Sequence, residues 1–370
     1  MSESAVPPAT VAAGRAWLSW LTPLSPFALI AVIAVVEVAT PDWLRLGPVL
    51  ASASVFAAAI CGLGVTAAVA ATTIGVNAVL DLVDSRWGSS ASQIINIALL
   101  TVGLASLLAC SIRQRREREL TQVRSVAETA QRTLIRPLPA RLDCLLLQGT
   151  YMAAESEARI GGDFYEVLHT PHGVRLLIGD VRGKGLPAVD ASAALLGAFR
   201  EAAHHEPNLA NVAHWLEGSA RRNIRRLYGE EFTERFATAL LVEIPEGPVA
   251  RLVQCGHPQP LAIRDGTVQG CESAEPGPPI GFAELVEAGP SVETIPFRGG
   301  DRLLLFTDGV IEARDAAGRF YPLPERMTRW SYDPLDQLVD HVRADLRRHV
   351  GGDLDDDAAL LAIERLPPGS

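Results

Sequence analysis

Between residues 47 and 83 the chain carries a single charged side chain, Asp81, and that uncharged length constrains everything before residue 112. It is too long for one bilayer crossing of about 20 residues. Gly62 and Gly64 divide it into stretches near 48–61 and 65–83. Apolar stretches near 23–38 and 93–111 flank them, separated by Pro41-Asp42-Trp43-Leu44-Arg45 and by the polar run 84–92. Trp43 stands where an interfacial aromatic belt would put it. The pattern predicts an all-α transmembrane region of about four helices over 23–111, after a Pro- and Ala-rich segment, 1–22, expected to be disordered. Four crossings leave both ends on one side. Arg113, Arg115, Arg116 and Arg118 directly after the last stretch, and Arg15 before the first, assign that side to the cytoplasm of a multi-pass plasma-membrane protein. A buried helical core in a soluble protein is the alternative, and four successive nearly charge-free blocks argue against it. Glu37 and Asp81 fall near the ends of the stretches, so an ion path is not indicated, and the spans are read as an anchor in membrane lipid or a sensor.

Residues 112–136 turn highly charged and helical. Leu120, Val123, Ala127, Ala130 and Leu134 recur at three- and four-residue steps until Pro137 and Pro139 stop the pattern. The seam is either the inner face of a solvated connector or a contact that joins two copies as a homodimer.

Beyond it, 137–370 has the composition of an ordinary globular domain. Short β-like runs lie near 144–153, 164–169, 174–178, 236–243, 249–254, 259–263, 292–297, 302–306 and 358–363. Helical patterns occupy 188–205, 209–227 and 334–349. Strands with helices clustered between them suggest an α+β layered sandwich rather than alternating βαβ units. A net charge of −10 argues against a nucleic-acid partner. Five cysteines without CxxC spacing give neither a zinc ribbon nor a disulfide framework.

Four aspartates stand at the ends of these runs. Asp163 follows Gly161-Gly162, Asp180 closes Val174–Ile178 and opens Val181-Arg182-Gly183-Lys184-Gly185, Asp308 precedes Gly309, and Asp356 sits within Asp355-Asp356-Asp357 before an apolar run. Any one Asp-Gly is ordinarily a turn. Four in the same setting are a candidate oxygen-rich site for hard divalent cations, and two such ions could activate a water and clamp a phosphoryl group. Asp355 and Asp357 are read as solvated neighbours of Asp356, as is Asp353. Arg182 and Lys184 are left open between phosphate contacts and solvated loop charges. His257, Thr238, Phe236 and Cys255 are read as structural.

Six ordered motifs, Gly-Gly-Asp-Phe-Tyr, Gly-Asp-Val-Arg-Gly-Lys-Gly, Phe-Ala-Thr-Ala, Cys-Gly-His-Pro-Gln-Pro, Phe-Thr-Asp-Gly-Val-Ile-Glu-Ala and Asp-Asp-Ala-Ala-Leu-Leu, resemble the metal-dependent serine/threonine protein phosphatases. The resemblance covers roughly 140–365 and points to the bacterial branch of stage II sporulation protein E and stress-response sigma-factor regulators, in its membrane-anchored actinobacterial form. It implies an α-β-β-α sandwich with two Mn²⁺ or Mg²⁺ ions at one edge. Asp180 would bridge the ions, and Asp163 would serve one of them directly or through water. Asp308 and Asp356 would hold the other, with the Val181 carbonyl and Gly309 shaping the site. It further implies direct hydrolysis of a phosphoserine or phosphothreonine protein, notably an anti-anti-sigma factor. Glu166 stands where that family usually has Asp. A catalytically silent receptor that uses the sandwich only to bind proteins, and a channel with a cytoplasmic regulatory module, are the competing readings. The intact acidic stations oppose the first.

Overall fold

A computed structural model describes residues 22–40, 46–84, 87–153, 161–228, 236–282, 289–352 and 354–367. The expected disordered segment lies almost wholly outside them, as do Trp43 and Asp353. The chain divides into two compact units, Met1–Gln122 and Val123–Ser370.

In the first unit, α1 (Ser25–Ala39), α2 (Ala51–Ile60), α3 (Leu63–Val83) and the first part of α4 (Ser90–Leu134) follow the predicted stretches. Among the described residues, three helical segments, Thr22–Ala39, Leu63–Val83 and Ser90–Gln122, are long and apolar enough to cross a bilayer. The remaining stretch forms a shorter helix, Gly47–Ile60, of about 20 Å at 1.5 Å per residue. Ile30, Ile33, Leu50, Ala53, Ala57, Val69 and Leu99 pack together inside this unit. Polar groups tie α3 to α4: Asn77 Nδ2 donates to Asn96 and Ser92 Oγ donates to Asp81, which also accepts from Asn77 within α3. Interhelical hydrogen bonds of this kind serve where apolar burial gives no preference between helix and lipid. Arg113 Nε and Nη2 donate to the carbonyls of Ala58 and Cys61, satisfying the open C-terminal end of α2. The charged segment 112–136 does not start a new helix; it completes α4, which ends at Leu134 ahead of Pro137. Of the proposed seam, the side chains of Val123, Ala127 and Ala130 lie outside the described set.

The second unit opens with β1 (Arg141–Leu142), β2 (Leu145–Met152), β3 (Phe164–Thr170) and β4 (Gly173–Val181). Then come α5 (Leu186–His205), α6 (Leu209–Tyr228), β5 (Ala237–Ile244), β6 (Val249–Cys255), β7 (Leu261–Arg264) and β8 (Thr267–Gly270). It closes with β9 (Glu293–Pro296), β10 (Arg302–Phe306), α7 (Asp308–Ile311), α8 (Leu323–Met327), α9 (Leu335–Val350) and β11 (Ala358–Arg365). Two antiparallel sheets form, ordered β1-β2-β11-β10-β7-β8 and β3-β4-β5-β6-β9.

Period-two side-chain direction builds the layers. On β4, Leu176 and Ile178 face the other sheet, where they meet Leu147, Leu303, Leu305, Leu361 and Ile363. Leu177 faces the opposite way, onto Leu195, Leu196 and Phe199 of α5 and Val212 and Leu216 of α6. Beneath the six-stranded sheet, Leu304, Leu360 and Ala362 pack on Leu338, Val342 and Leu346 of α9. The order is helix, sheet, sheet, helix, the layered sandwich that the runs suggest, in the order the family resemblance implies. Each buried Leu or Ile contributes about 1.5–3 kcal/mol, which makes the doubly covered strands the stable frame.

Helix α5 starts where it does because Gly185 takes a positive φ of 82° and Pro187 occupies the first turn, where its missing N–H costs nothing. The hairpin β7–β8 turns at Asp265-Gly266, both at positive φ, a two-residue loop that the sequence reading passed over.

Candidate metal centre

Register alone brings the acidic stations to one rim. In the five-stranded sheet Phe164 pairs with Gly179, so Asp163, just before β3, and Asp180, near the end of β4, are neighbours. In the six-stranded sheet Phe306 pairs with Leu360, so Asp308, just after β10, and Asp356, just before β11, lie at one end of adjacent strands. The sandwich stacks these ends. One oxygen from each of Asp163, Asp180 and Asp308 lies within 4.8 Å of the others. Thr307 joins the two sheets there: its Oγ1 donates to Asp163 Oδ2 at 2.7 Å and accepts the Ala359 N–H at 2.9 Å.

Asp356 stands apart from that trio. It is exposed, accepts from Lys184 Nζ at 2.8 Å, and lines an acidic depression with Asp308, Gly309, Glu312 and Asp355. Its charge nevertheless acts on both Asp180 and Asp308. Lys184 is therefore an ion-pair partner of Asp356. Arg182 lies 5.2 Å from the Phe236 ring centroid.

Glycine is required next to two stations. A Cβ on Gly162 would fall 2.2 Å from the Val181 carbonyl oxygen and 2.7 Å from Asp180 Oδ1. A Cβ on Gly309 would fall 1.8 Å from the Asp357 carbonyl oxygen. Gly162 also accepts from Val181 N–H and Ser192 Oγ, so the turn that carries Asp163 is held against the start of α5.

The electrostatics favour a cation. Burial, then repulsion from Asp180, holds the Asp163 carboxyl well above its ordinary range, although Thr307 counteracts this. Burial, then Asp308 and Asp356, pushes Asp180 up to about 7. Burial, then Glu312 and Asp356, raises Asp308. Three carboxylates at this spacing cannot all be ionised without a compensating positive charge. The donor set is all oxygen, the chemistry of Mg²⁺ and Mn²⁺ rather than of zinc.

Asp357 corrects the sequence reading. It is not a solvated neighbour; it is 4% exposed and accepts from Gly161 N–H at 2.9 Å and from the Tyr151 hydroxyl. Asp355 is exposed, as expected. Glu166 is buried and paired with Arg200, whose Nε donates at 2.6 Å. His257 is buried, its Nδ1 lies 3.0 Å from Thr238 Oγ1, and burial pushes its pKa down to about 3, so it is neutral. Cys255 is a buried thiol pushed up to about 12 by burial. Thr307, Tyr151 and Gln131 were not singled out from the sequence. Thr307 alone had a signal, its place inside Phe-Thr-Asp-Gly.

The family model described as stage II sporulation protein E matches residues 170–366, more than half of the chain, and opens just after Asp163. The RsbU and RsbW domains of a Mycobacterium tuberculosis protein align at 24% identity and a TM-score of 0.51, covering 61% of each chain. The present chain thus spans less than two thirds of that structure. The SiaA PP2C domain of Pseudomonas aeruginosa aligns at 18% identity and a TM-score of 0.55, covering 67% of this chain and 98% of that one. At these identities the two structures speak to the fold. No curated protein matches the sequence.

Proposed function

The chain belongs to the stage II sporulation protein E family, its C-terminal part a PP2C-type metal-dependent phosphatase domain, and from that premise we propose that it hydrolyses phosphoserine or phosphothreonine on a protein while anchored in the plasma membrane. One observation carries the reading: Asp163, Asp180 and Asp308, far apart in sequence, place oxygens within 4.8 Å of one another at the rim. In this reading 137–370 is the phosphatase domain, 112–136 a charged linker helix, and 23–111 a multi-pass anchor that leaves the phosphatase in the cytoplasm.

Asp163, Asp180, Asp308 and Asp356, with the Val181 carbonyl, are the groups that would hold two divalent cations. When bound, Mn²⁺ or Mg²⁺ supplies Lewis-acid charge neutralisation and an acidified water. The chain's own groups do the rest. Thr307 fixes the Asp163 carboxylate. Gly162 and Gly309 let main chain approach where a side chain would intrude. Among the described residues near the rim, neither Cys255 nor His257 is available as a nucleophile, since both are buried and the cysteine is held as the thiol. In this reading water attacks phosphorus: its oxygen bonds to phosphorus as the serine or threonine oxygen leaves and takes up a proton.

The substrate is assigned as a phosphorylated anti-anti-sigma-type protein in a partner-switching pathway. The ordered motifs and the structural neighbour that joins an RsbU to an RsbW domain support this. The test is phosphate release by the full chain in detergent from such a phosphoprotein, with Mn²⁺ and with chelator. Release should need the ion and fall at least about 100-fold in Asp180→Asn. Equal turnover by that variant would remove Asp180 from the site.

A further inference from the structure

Four residues close a ring of hydrogen bonds behind the acidic rim. Gln131, on the last turns of α4 and 8% exposed, donates from Nε2 to Tyr151 Oη at 2.6 Å and to the Gly161 carbonyl at 3.2 Å. Its amide has two hydrogens, so both acceptors are served at once. Tyr151 in turn donates its hydroxyl to Asp357 Oδ2. Gly161 N–H donates to that same oxygen at 2.9 Å, which returns the ring to its start. Burial and the neighbouring Asp357 push the Tyr151 phenol far above its ordinary value, so it remains a donor.

Asp357 contacts Asp356 and the glycines beside two more of the four stations, through different atoms. Its side chain grips Gly161, two residues before Asp163. Its carbonyl oxygen occupies the space a Gly309 side chain would need, one residue after Asp308. Its main chain continues directly from Asp356, and its N–H donates to Asp356 Oδ1 at 3.0 Å. The contact with Gly161 is as close, for a Cβ there would fall 2.1 Å from Asp357 Oδ2.

We propose that Asp357 is the keystone of the metal centre, a positioning residue and not a ligand, and that Tyr151 and Gln131 hold it so that Asp163, Asp308 and Asp356 meet at one place. The last turns of α4 therefore belong to the catalytic unit. What the ring asks of Asp357 is an acceptor oxygen of the right shape rather than its charge.

The inference rests on the assignment of the cation site above, and one experiment separates the two. Mn²⁺ binding to the full chain in detergent is measured by calorimetry or by the loss of the free-ion electron paramagnetic resonance signal, with no substrate present. Asp357→Ala, Tyr151→Phe and Gln131→Ala should each weaken binding by about 10-fold or more, the usual effect of removing a group that orients metal ligands. Asp357→Asn, which keeps an acceptor oxygen, should stay within about three-fold of the wild type. Val342→Ala, on the core face of α9, should lower the melting temperature without changing Mn²⁺ affinity. If Asp357→Asn binds as weakly as Asp357→Ala, the residue acts through its charge and the keystone is wrong. If Tyr151→Phe and Gln131→Ala bind Mn²⁺ like the wild type while Asp180→Asn does not, the cation site stands and the positioning role falls. If Asp180→Asn also binds normally, the site assignment itself is what failed.

Discussion

Replacing Thr307 by Val tests the joint between the two sheets with almost no change of shape. Thr307 is fully buried, and its hydroxyl does two things at once: it donates to Asp163 Oδ2 at 2.7 Å and accepts the Ala359 N–H at 2.9 Å. A hydrogen bond to a charged group contributes about 1.5–3 kcal/mol, and a buried N–H left without an acceptor costs about 1–3 kcal/mol. The variant should therefore lose about 3–5 kcal/mol, a large share of the ~5–15 kcal/mol that holds a domain folded. Thr307→Ser keeps the hydroxyl and should stay within about 1.5 kcal/mol of wild type. Urea unfolding of the full chain in excess Mn²⁺ measures both, and hydrogen exchange at the Ala359 amide reports the orphaned donor directly. A second consequence follows from sign. The Thr307 donor lowers the Asp163 pKa, so its loss makes that carboxyl harder to ionise and moves the pH midpoint of Mn²⁺ binding upward. Equal stability of the Val and Ser variants, with no change in the pH midpoint, would refute the reasoning.

With the ions chelated, Asp180 is raised to about 7 by burial, Asp308 and Asp356, and Asp163 and Asp308 are raised as well. A carboxyl whose folded pKa lies above its unfolded value stabilises at low pH, and that contribution is lost as pH rises through the folded value. The melting temperature in chelator should thus fall between pH 5 and 8, and added Mn²⁺ should restore most of the loss at pH 8. Gly309→Ala should cost about 3 kcal/mol or more in melting experiments, because its Cβ would fall 1.8 Å from the Asp357 carbonyl oxygen. Arg175→Ala removes a fully buried guanidinium that serves Glu243 and the carbonyls of Ala203, Glu206 and Pro207. It should destabilise by about 3–5 kcal/mol in urea unfolding while leaving the Mn²⁺ affinity of the folded protein unchanged.

The layers and the rim were legible because both depend on local rules. Val174–Ile178 and 358–363 are nearly continuous apolar runs, as strands covered on both faces must be. Asp163, Asp180 and Asp308 could be picked out because each interrupts such a run beside glycine. Asp357 was misread for the opposite reason: it closes a run of three aspartates, and nothing local distinguishes it from the two before it. Its burial comes from Gly161 and Tyr151, both some 200 residues away in the chain, at separations of 196 and 206. Tyr151 and Gln131 escaped for the same reason, since a hydroxyl at the end of a strand and an amide on a charged helix look solvated until a distant partner is placed beside them. The segment 47–60 showed a different limit. Its composition suits a membrane helix, but its length does not, and composition was the louder signal.

The stable part of the phosphatase unit and its chemistry are built from different kinds of interaction. Between the sheets, Leu176, Ile178, Leu303 and Leu361 need only be apolar and of about the right volume, and cores of this kind accept exchange among similar residues. At the rim the main chain passes so close to carboxylates and carbonyl oxygens that Gly161, Gly162 and Gly309 admit no side chain at all. That crowding brings like charges together, which opposes folding until a cation offsets it. A rim of this kind should loosen before the core does when the ion is removed. Hydrogen exchange in chelator should rise first at Gly161, Asp163 and Asp308, while Leu177 and Leu361 stay protected. Uniform loss of protection across rim and core would mean that the acidic cluster is an ordinary part of the hydrophobic frame. The carboxylates would then have no special dependence on a bound ion, and the electrostatic argument for the centre would fail.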